Sequence, residues 1–206
     1  MHPQTRSALL LDRDGVINVD RGFVSRCEDF EWMPGIFEVT RAAVRLGMTL
    51  VVVTNQSGIG RGYYTEDDYQ AVTASMRARF AAEGTPLAAV YHCPFHPEAL
   101  EPRLRAADHP WRKPRAGMVL AARDDLGLDL SRSAMLGDRL VDLQAGAAAG
   151  VAALGLVSAT GPATGLADLD APPHTAFRDL AEVPAWLERL ISRAGSQPAP
   201  LRNRSQ

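Results

Sequence analysis

Cysteine is scarce in this chain, with only Cys27 and Cys93 among 206 residues. A multi-bridge scaffold is excluded, so the fold must rest on an apolar core, as expected in a reducing, cytoplasmic setting. Charge of one sign is also lacking: 22 Lys and Arg stand against 24 Asp and Glu, a net charge of -2. No global field draws nucleic acid or an anionic membrane. Any bound anion must be held by a local cluster of basic groups and backbone N–H dipoles. Long hydrophobic runs are missing as well. The apolar run Ala8 to Leu11 is too short for a signal-peptide core, and residues 145–157 fall short of the roughly 18 apolar residues that suggest a spanning helix. Together these shortages point to a soluble, unexported protein that takes a small ligand; it is expected to be a monomer.

What is present is 46% hydrophobic residues, arranged in blocks. Ala8 to Leu11 and Leu50 to Val53 are unbroken apolar runs that end abruptly in polar residues, the pattern of strands covered on both faces in a parallel sheet. Between them Ile36, Val39, Ala43 and Val44 recur at helical spacing, bounded by Pro34-Gly35 and Gly47. Thr65 reads as the N-cap of a helix with Tyr69, Val72, Met76 and Phe80 on one face, ended by Gly84. Further strands are expected at 87–91, 134–136 and 151–156, and further helices at 117–126, 140–149 and 183–191. This alternation predicts a doubly wound α/β parallel sheet with helices on both faces. Residues 1–193 read as one domain, and 194–206 as a disordered tail.

In such a sheet, ligands bind outside the carboxyl ends of the strands. The residues there are Asp12 with Asp14, Thr54 with Asn55, the loop leading to Arg112-Lys113, and Gly137-Asp138 with Asp142. Singly, each reads as an ordinary turn or strand terminus. Their joint occurrence at consecutive strand ends points elsewhere. Converging carboxylates repel one another unless a cation is present, and a hard, oxygen-liganded ion such as Mg²⁺ suits them. A lysine, a hydroxyl and free N–H groups opposite that metal suit a phosphoryl group. The loops 13–34 and 92–115 are long enough to be functional.

The set Asp12-Arg13-Asp14-Gly15-Val16, Thr54, Lys113-Pro114 and Gly137-Asp138 with Asp142 resembles the four motifs of the haloacid dehalogenase-like hydrolases. LDRDGVIN at 11–18, VVVTNQSGIGRG at 51–62, CPFHP at 93–97, RKP at 112–114 and GD-x-x-x-D at 137–142 are similar to the D-glycero-D-manno-heptose 1,7-bisphosphate phosphatases and the related histidinol-phosphatases. That resemblance implies a Rossmann-like fold without a large cap domain and a cytoplasmic role in carbohydrate metabolism, supplying heptose for lipopolysaccharide biosynthesis. It implies Asp12 as nucleophile, Asp14 as acid and base, and Thr54 and Lys113 as partners of the phosphoryl oxygens. Mg²⁺ would be held by the side chains of Asp12 and Asp138 and the backbone carbonyl of Asp14, with Asp142 orienting a bound water or Lys113. Asp20, Arg21, Gly22 and Phe23, together with Asn55, Gln56 and Ser57, would line the substrate side. Arg112 would meet a second phosphate, with Arg139 assisting.

The chain departs from that pattern in the second long loop. The relatives commonly hold a structural zinc there with Cys-x-His, then Cys-x-Cys directly before Arg-Lys-Pro. This sequence has Phe95 where the histidine would fall, and His109 and Trp111 where the cysteines would fall. Cys93, His96 and His109 could form an improvised site, but a closed zinc site wants four protein ligands. The favoured expectation is a loop held by Trp111, Phe95 and prolines instead of by metal. Two alternatives stay open: a histidinol-phosphatase with the same chemistry, and a receiver-type phosphoacceptor domain, which chain order disfavours because Asp14 follows the candidate nucleophile on the first strand.

Overall fold

The apolar runs become the strands β1 (Ala8–Leu11), β2 (Thr49–Asn55), β3 (Ala89–Cys93), β4 (Ala134–Gly137), β5 (Ala153–Val157) and β6 (Thr175–Phe177). They form one sheet in the order β3-β2-β1-β4-β5-β6, with every neighbouring pair parallel. The helices are α1 (Ile36–Arg45), the short α2 (Ser57–Gly60), α3 (Glu66–Ala82), α4 (Gly117–Leu126), α5 (Leu140–Ala149) and α6 (Val183–Gly195). This computed structural model describes residues 6–158 and 171–195; of the tail expected at 194–206, residues 194 and 195 instead end α6, and the rest lies outside the described residues. Among the described residues no helix is long and apolar enough to cross a membrane.

The doubly wound architecture follows from the strand sequences. Successive side chains of a strand point to opposite faces. Leu9, Leu11, Leu50 and Val52 join one apolar cluster with Val39, Phe80 and Leu187, whereas Leu10, Val51, Val53 and Met135 join another with Met118, Val119 and Leu143. Both faces are covered, which is why these runs are continuous rather than alternating. Each fully buried leucine of β1 stabilises the fold by roughly 1.5–3 kcal/mol relative to exposure. Helix α3 starts on the expected cap: Thr65 Oγ1 accepts from Asp68 N, and Asp68 Oδ2 accepts from Thr65 N.

Several elements differ from expectation, with β5 starting at Ala153 and α6 running to Gly195. Strand β3 lies two residues later than 87–91, because Ala89 to Cys93 are the residues in register with Val51 to Asn55. Its residues before Cys93 are only partly buried, so no apolar run marks them. Strand β6 is a three-residue edge strand, too short to leave a pattern. The glycine-rich stretch after β2, for which no element was expected, winds into the short helix α2.

Strand β1 lies between β2 and β4, so the strand order reverses there and a crevice opens at the carboxyl ends of β1 and β4. The excursion from 13 to 34 doubles back on itself beside that crevice. Val19 N donates to Glu31 O at 2.8 Å, and Met33 N donates to Ile17 O at 2.9 Å. Trp32 anchors it on Phe37 and Phe80, with ring centroids 4.9 and 5.9 Å away.

Candidate active site

A cleft of about 380 Å³ opens over these strand ends. Its floor is Lys113, whose side chain is 1% exposed. The ammonium lies 2.9 Å from Asp12 Oδ1 and 2.6 Å from Asp142 Oδ1, and donates to the Val53 carbonyl at 2.9 Å. A buried ammonium is costly, but two carboxylates outweigh that cost and hold its pKa above the ordinary lysine value. Asn55 fixes the same residue from the side: its Nδ2 donates to Lys113 O at 3.1 Å, and its Oδ1 accepts from Lys113 N at 3.0 Å. Asn55 is thus a clamp on the lysine.

Asp12, Asp138 and Asp142 bring one carboxylate oxygen each to within 4.8 Å of one another. Burial first, then its acidic neighbours, raises the Asp138 pKa to about 7. Burial likewise raises Asp12 to about 6, against the opposing pull of Lys113. Asp138 Oδ1 is buried without a hydrogen-bond partner among the described residues. A buried and a half-buried carboxylate that resist ionisation, one of them with an orphaned oxygen, fit a divalent cation bound by oxygen. The backbone yields to this cluster. A Cβ on Gly15, whose φ is +84°, would lie 2.3 Å from Asp138 Oδ2, and one on Gly137 would lie 2.2 Å from Asp142 Cβ.

Asp14 is held by three side chains, Arg13, Asn18 and Gln56. The buried Arg13 grips it with Nε at 3.1 Å and Nη2 at 2.9 Å, while Asn18 Nδ2 donates to Oδ1 at 3.0 Å. Gln56 Nε2 donates to Asp14 Oδ2 and to Thr54 Oγ1, both at 2.9 Å. Tyr64 OH donates to Gln56 Oε1 at 2.6 Å and so fixes which way that amide faces. Because Thr54 accepts from Gln56, its own hydroxyl proton stays available for a ligand oxygen. Gln56 therefore ties Asp14 to Thr54. Neither Arg13, Asn18 nor Tyr64 carries a pattern of its own in the sequence.

Of the residues expected around the substrate, Asp20, Gly22, Phe23 and Ser57 line the cleft, as do Arg112 and Arg139. Arg21 does not: it is exposed and paired with Glu31. Arg61 lines the cleft without having been anticipated, with its guanidinium 5.6 Å from the Phe23 ring and 4.9 Å from the Tyr63 ring. Its only signal was a basic residue inside the glycine-rich segment. His96 also faces the cleft, Cys93 is buried, and His109 stacks on Phe95. Among the described residues, the converging ligand set is the aspartate group, and Cys93, His96 and His109 do not form one.

Comparison with known proteins agrees with this geometry. A family model described as HAD-hydrolase-like matches residues 110–183. The D-glycero-alpha-D-manno-heptose-1,7-bisphosphate 7-phosphatase of Burkholderia mallei is 51% identical over 144 residues, 70% of this chain and 76% of that protein. The D-glycero-beta-D-manno-heptose-1,7-bisphosphate 7-phosphatase of Escherichia coli K12 is 40% identical over 182 residues, 88% of this chain and 94% of that protein. Among solved structures, D,D-heptose 1,7-bisphosphate phosphatase from B. bronchiseptica, complexed with magnesium and phosphate, superposes with a TM-score of 0.74. It is 29% identical and the match covers 89% of this chain and 98% of that one.

Proposed function

The chain belongs to the haloacid dehalogenase-like hydrolases, among the heptose-1,7-bisphosphate 7-phosphatases, and from that membership we propose that it is a Mg²⁺-dependent phosphatase converting D-glycero-D-manno-heptose 1,7-bisphosphate to heptose 1-phosphate. The observation that carries this is Lys113, a buried cation 2.9 Å from Asp12, beside an aspartate group that calls for a second cation.

Asp12 is the nucleophile. Its carboxylate attacks phosphorus in line, forming an aspartyl-phosphate as the bond to the sugar oxygen breaks. Asp14 gives the departing oxygen its proton, then takes one from the water that cleaves the acyl phosphate and releases inorganic phosphate. In its present position Asp14 accepts from Arg13, Asn18 and Gln56, the contacts of a carboxylate. Carrying a proton requires it to give up at least one of these donors, and Gln56, which borders the cleft, is the one a substrate can displace. Thr54 and Lys113 donate to the phosphoryl oxygens. Asp12, Asp138 and the Asp14 carbonyl would hold Mg²⁺, which when bound would supply positive charge against those oxygens and let neighbouring carboxylates stay ionised.

Arg112, Arg139 and Arg61 face the cleft from three different segments and suit a second phosphate on the same substrate. That favours a bisphosphate over histidinol phosphate, which carries a single one. Residues 1–193 act as one catalytic unit, a cytoplasmic monomer. Turnover on heptose 1,7-bisphosphate, each anomer separately, and on histidinol phosphate with excess Mg²⁺ tests the assignment. A preference of at least about tenfold in kcat/KM for the bisphosphate is expected from one charge-assisted contact set, and comparable rates would sink the heptose assignment.

A further inference from the structure

Arg112 reaches the cleft from a loop whose foundation is aromatic. His109 lies flat on Phe95, with ring centroids 3.5 Å apart and planes within 6°. Phe95 O accepts from Arg112 Nη1 at 3.0 Å, and His109 O accepts from Arg112 N at 2.9 Å. The two residues whose rings stack are therefore the two whose carbonyls hold Arg112, one by its guanidinium and one by its backbone. His109 Nδ1 accepts from Trp111 N at 3.2 Å, which fixes the imidazole in its plane and occupies one of its two possible ligand atoms. Cys93 is buried in the apolar cluster of Met118 and Val119, and His96 turns to the cleft. Among the described residues Cys93, His96 and His109 do not converge into a ligand set, so a structural zinc does not fit this loop.

We propose that the Phe95–His109 stack is a metal-free positioning device that aims Arg112 at the phosphate which is not hydrolysed. This rests on the bisphosphatase function proposed above. A guanidinium has five N–H donors in a fixed planar fork, so anchoring Nη1 on Phe95 O sets the direction in which the remaining donors point. The stack pins the Phe95 ring and so steadies the carbonyl that holds that direction. The reacting end is independent of this device. Lys113 is fixed by Asn55, Asp12, Asp142 and Val53, and among the described residues none of these shares a hydrogen bond or ring contact with Phe95 or His109. Loss of the stack should thus weaken capture of the second phosphate and leave the chemical step in place.

The test compares Phe95→Ala and His109→Ala with His109→Phe, which keeps a flat ring and removes any imidazole ligand. Rates are measured with Mg²⁺ on heptose 1,7-bisphosphate and on p-nitrophenyl phosphate, which has one phosphate. Each alanine variant is expected to raise KM for the bisphosphate about tenfold or more, the worth of one charge-assisted contact set. Its kcat, and both constants for p-nitrophenyl phosphate, should stay near wild type, while His109→Phe restores the bisphosphate KM. Zinc analysis of the purified wild type should find far less than one ion per chain, and a zinc chelator should leave its melting temperature unchanged. Stoichiometric zinc lost in both His109 variants would overturn the proposal, as would equal KM increases on the two substrates or an unrescued His109→Phe. Wild-type alanine kinetics on the bisphosphate would overturn it too, whereas a wild type that turns over neither substrate would refute the phosphatase function itself.

Discussion

Replacing Lys113 with methionine keeps most of the aliphatic stem and deletes the charge. The ammonium lies 2.9 Å from Asp12, 2.6 Å from Asp142 and 2.9 Å from the Val53 carbonyl, with its side chain 1% exposed. Removing one partner of a buried ion pair costs roughly 3–5 kcal/mol, because the remaining charge is left without compensation. A domain of this size loses about 2–4 °C of melting temperature per kcal/mol, so a fall of roughly 6–20 °C is expected at pH 8 without Mg²⁺. The deficit should shrink towards pH 5. Lys113 is what draws the Asp12 pKa down towards about 6 against burial, so in the variant Asp12 titrates higher still and becomes neutral as pH falls. The lysine's own folded pKa is raised, so its contribution is fully present throughout this range and does not mask the effect. Added Mg²⁺ should recover part of the loss by supplying a cation to the same carboxylates, while turnover stays about 10²–10³-fold below wild type for want of a donor to the phosphoryl oxygens. Thermal melts at pH 5, 6.5 and 8, with and without Mg²⁺, measure this. A deficit below about 1 kcal/mol, or one indifferent to pH and metal, would refute the idea of a charge-compensated buried site.

Mg²⁺ affinity should itself depend on pH. Asp138 titrates near pH 7 and Asp12 near pH 6 in the metal-free protein, and both must ionise to bind, so the apparent affinity measured by calorimetry should fall about tenfold per unit below pH 7 and more steeply below pH 6. An affinity flat from pH 5 to 8 would contradict the ligand set. Gly15→Ala places a Cβ 2.3 Å from Asp138 Oδ2 at a φ of +84°, and should raise the Mg²⁺ concentration needed for half-maximal rate at least about tenfold. Gly22→Ala has comparable backbone strain, at φ +74°, with nothing within 4 Å, and should leave that concentration unchanged. Asp14→Asn should cut kcat on the sugar bisphosphate about 10²–10⁴-fold but much less on p-nitrophenyl phosphate, whose leaving group departs without a proton. Equal losses on both would remove Asp14 from the acid role.

The parallel sheet was legible because β1 and β2 bury both faces and so appear as unbroken apolar runs. The placement of Asp12, Thr54 and Asp138 was legible because each ends a strand beside the reversal in strand order. Edge strands β3 and β6 were less so, since partial burial and three-residue length leave weak patterns. What the sequence concealed most was the arrangement around Asp14. Arg13 is a charged residue with 1% exposure, and composition has no marker for an arginine that is buried because its neighbour is a carboxylate. Tyr64 acts eight positions away through Gln56, a contact set by the turn of α2. Arg21 and Arg61 exchanged expectations for the same reason: a loop's basic residues are chosen by loop geometry, which pairs Arg21 with Glu31 and points Arg61 into the cleft. Phe95 was expected to help hold the loop and His109 was weighed as a zinc ligand, but nothing in the sequence pairs the two rings, because their stacking is set by the path of the loop between them.

Phosphate release from heptose 1,7-bisphosphate by Asp12→Asn, with excess Mg²⁺ and a melting curve to establish folding, tests the mechanism most directly. The expected result is a folded protein with no measurable turnover, because the amide cannot form the aspartyl-phosphate. Wild-type release by that variant would contradict nucleophilic catalysis by Asp12.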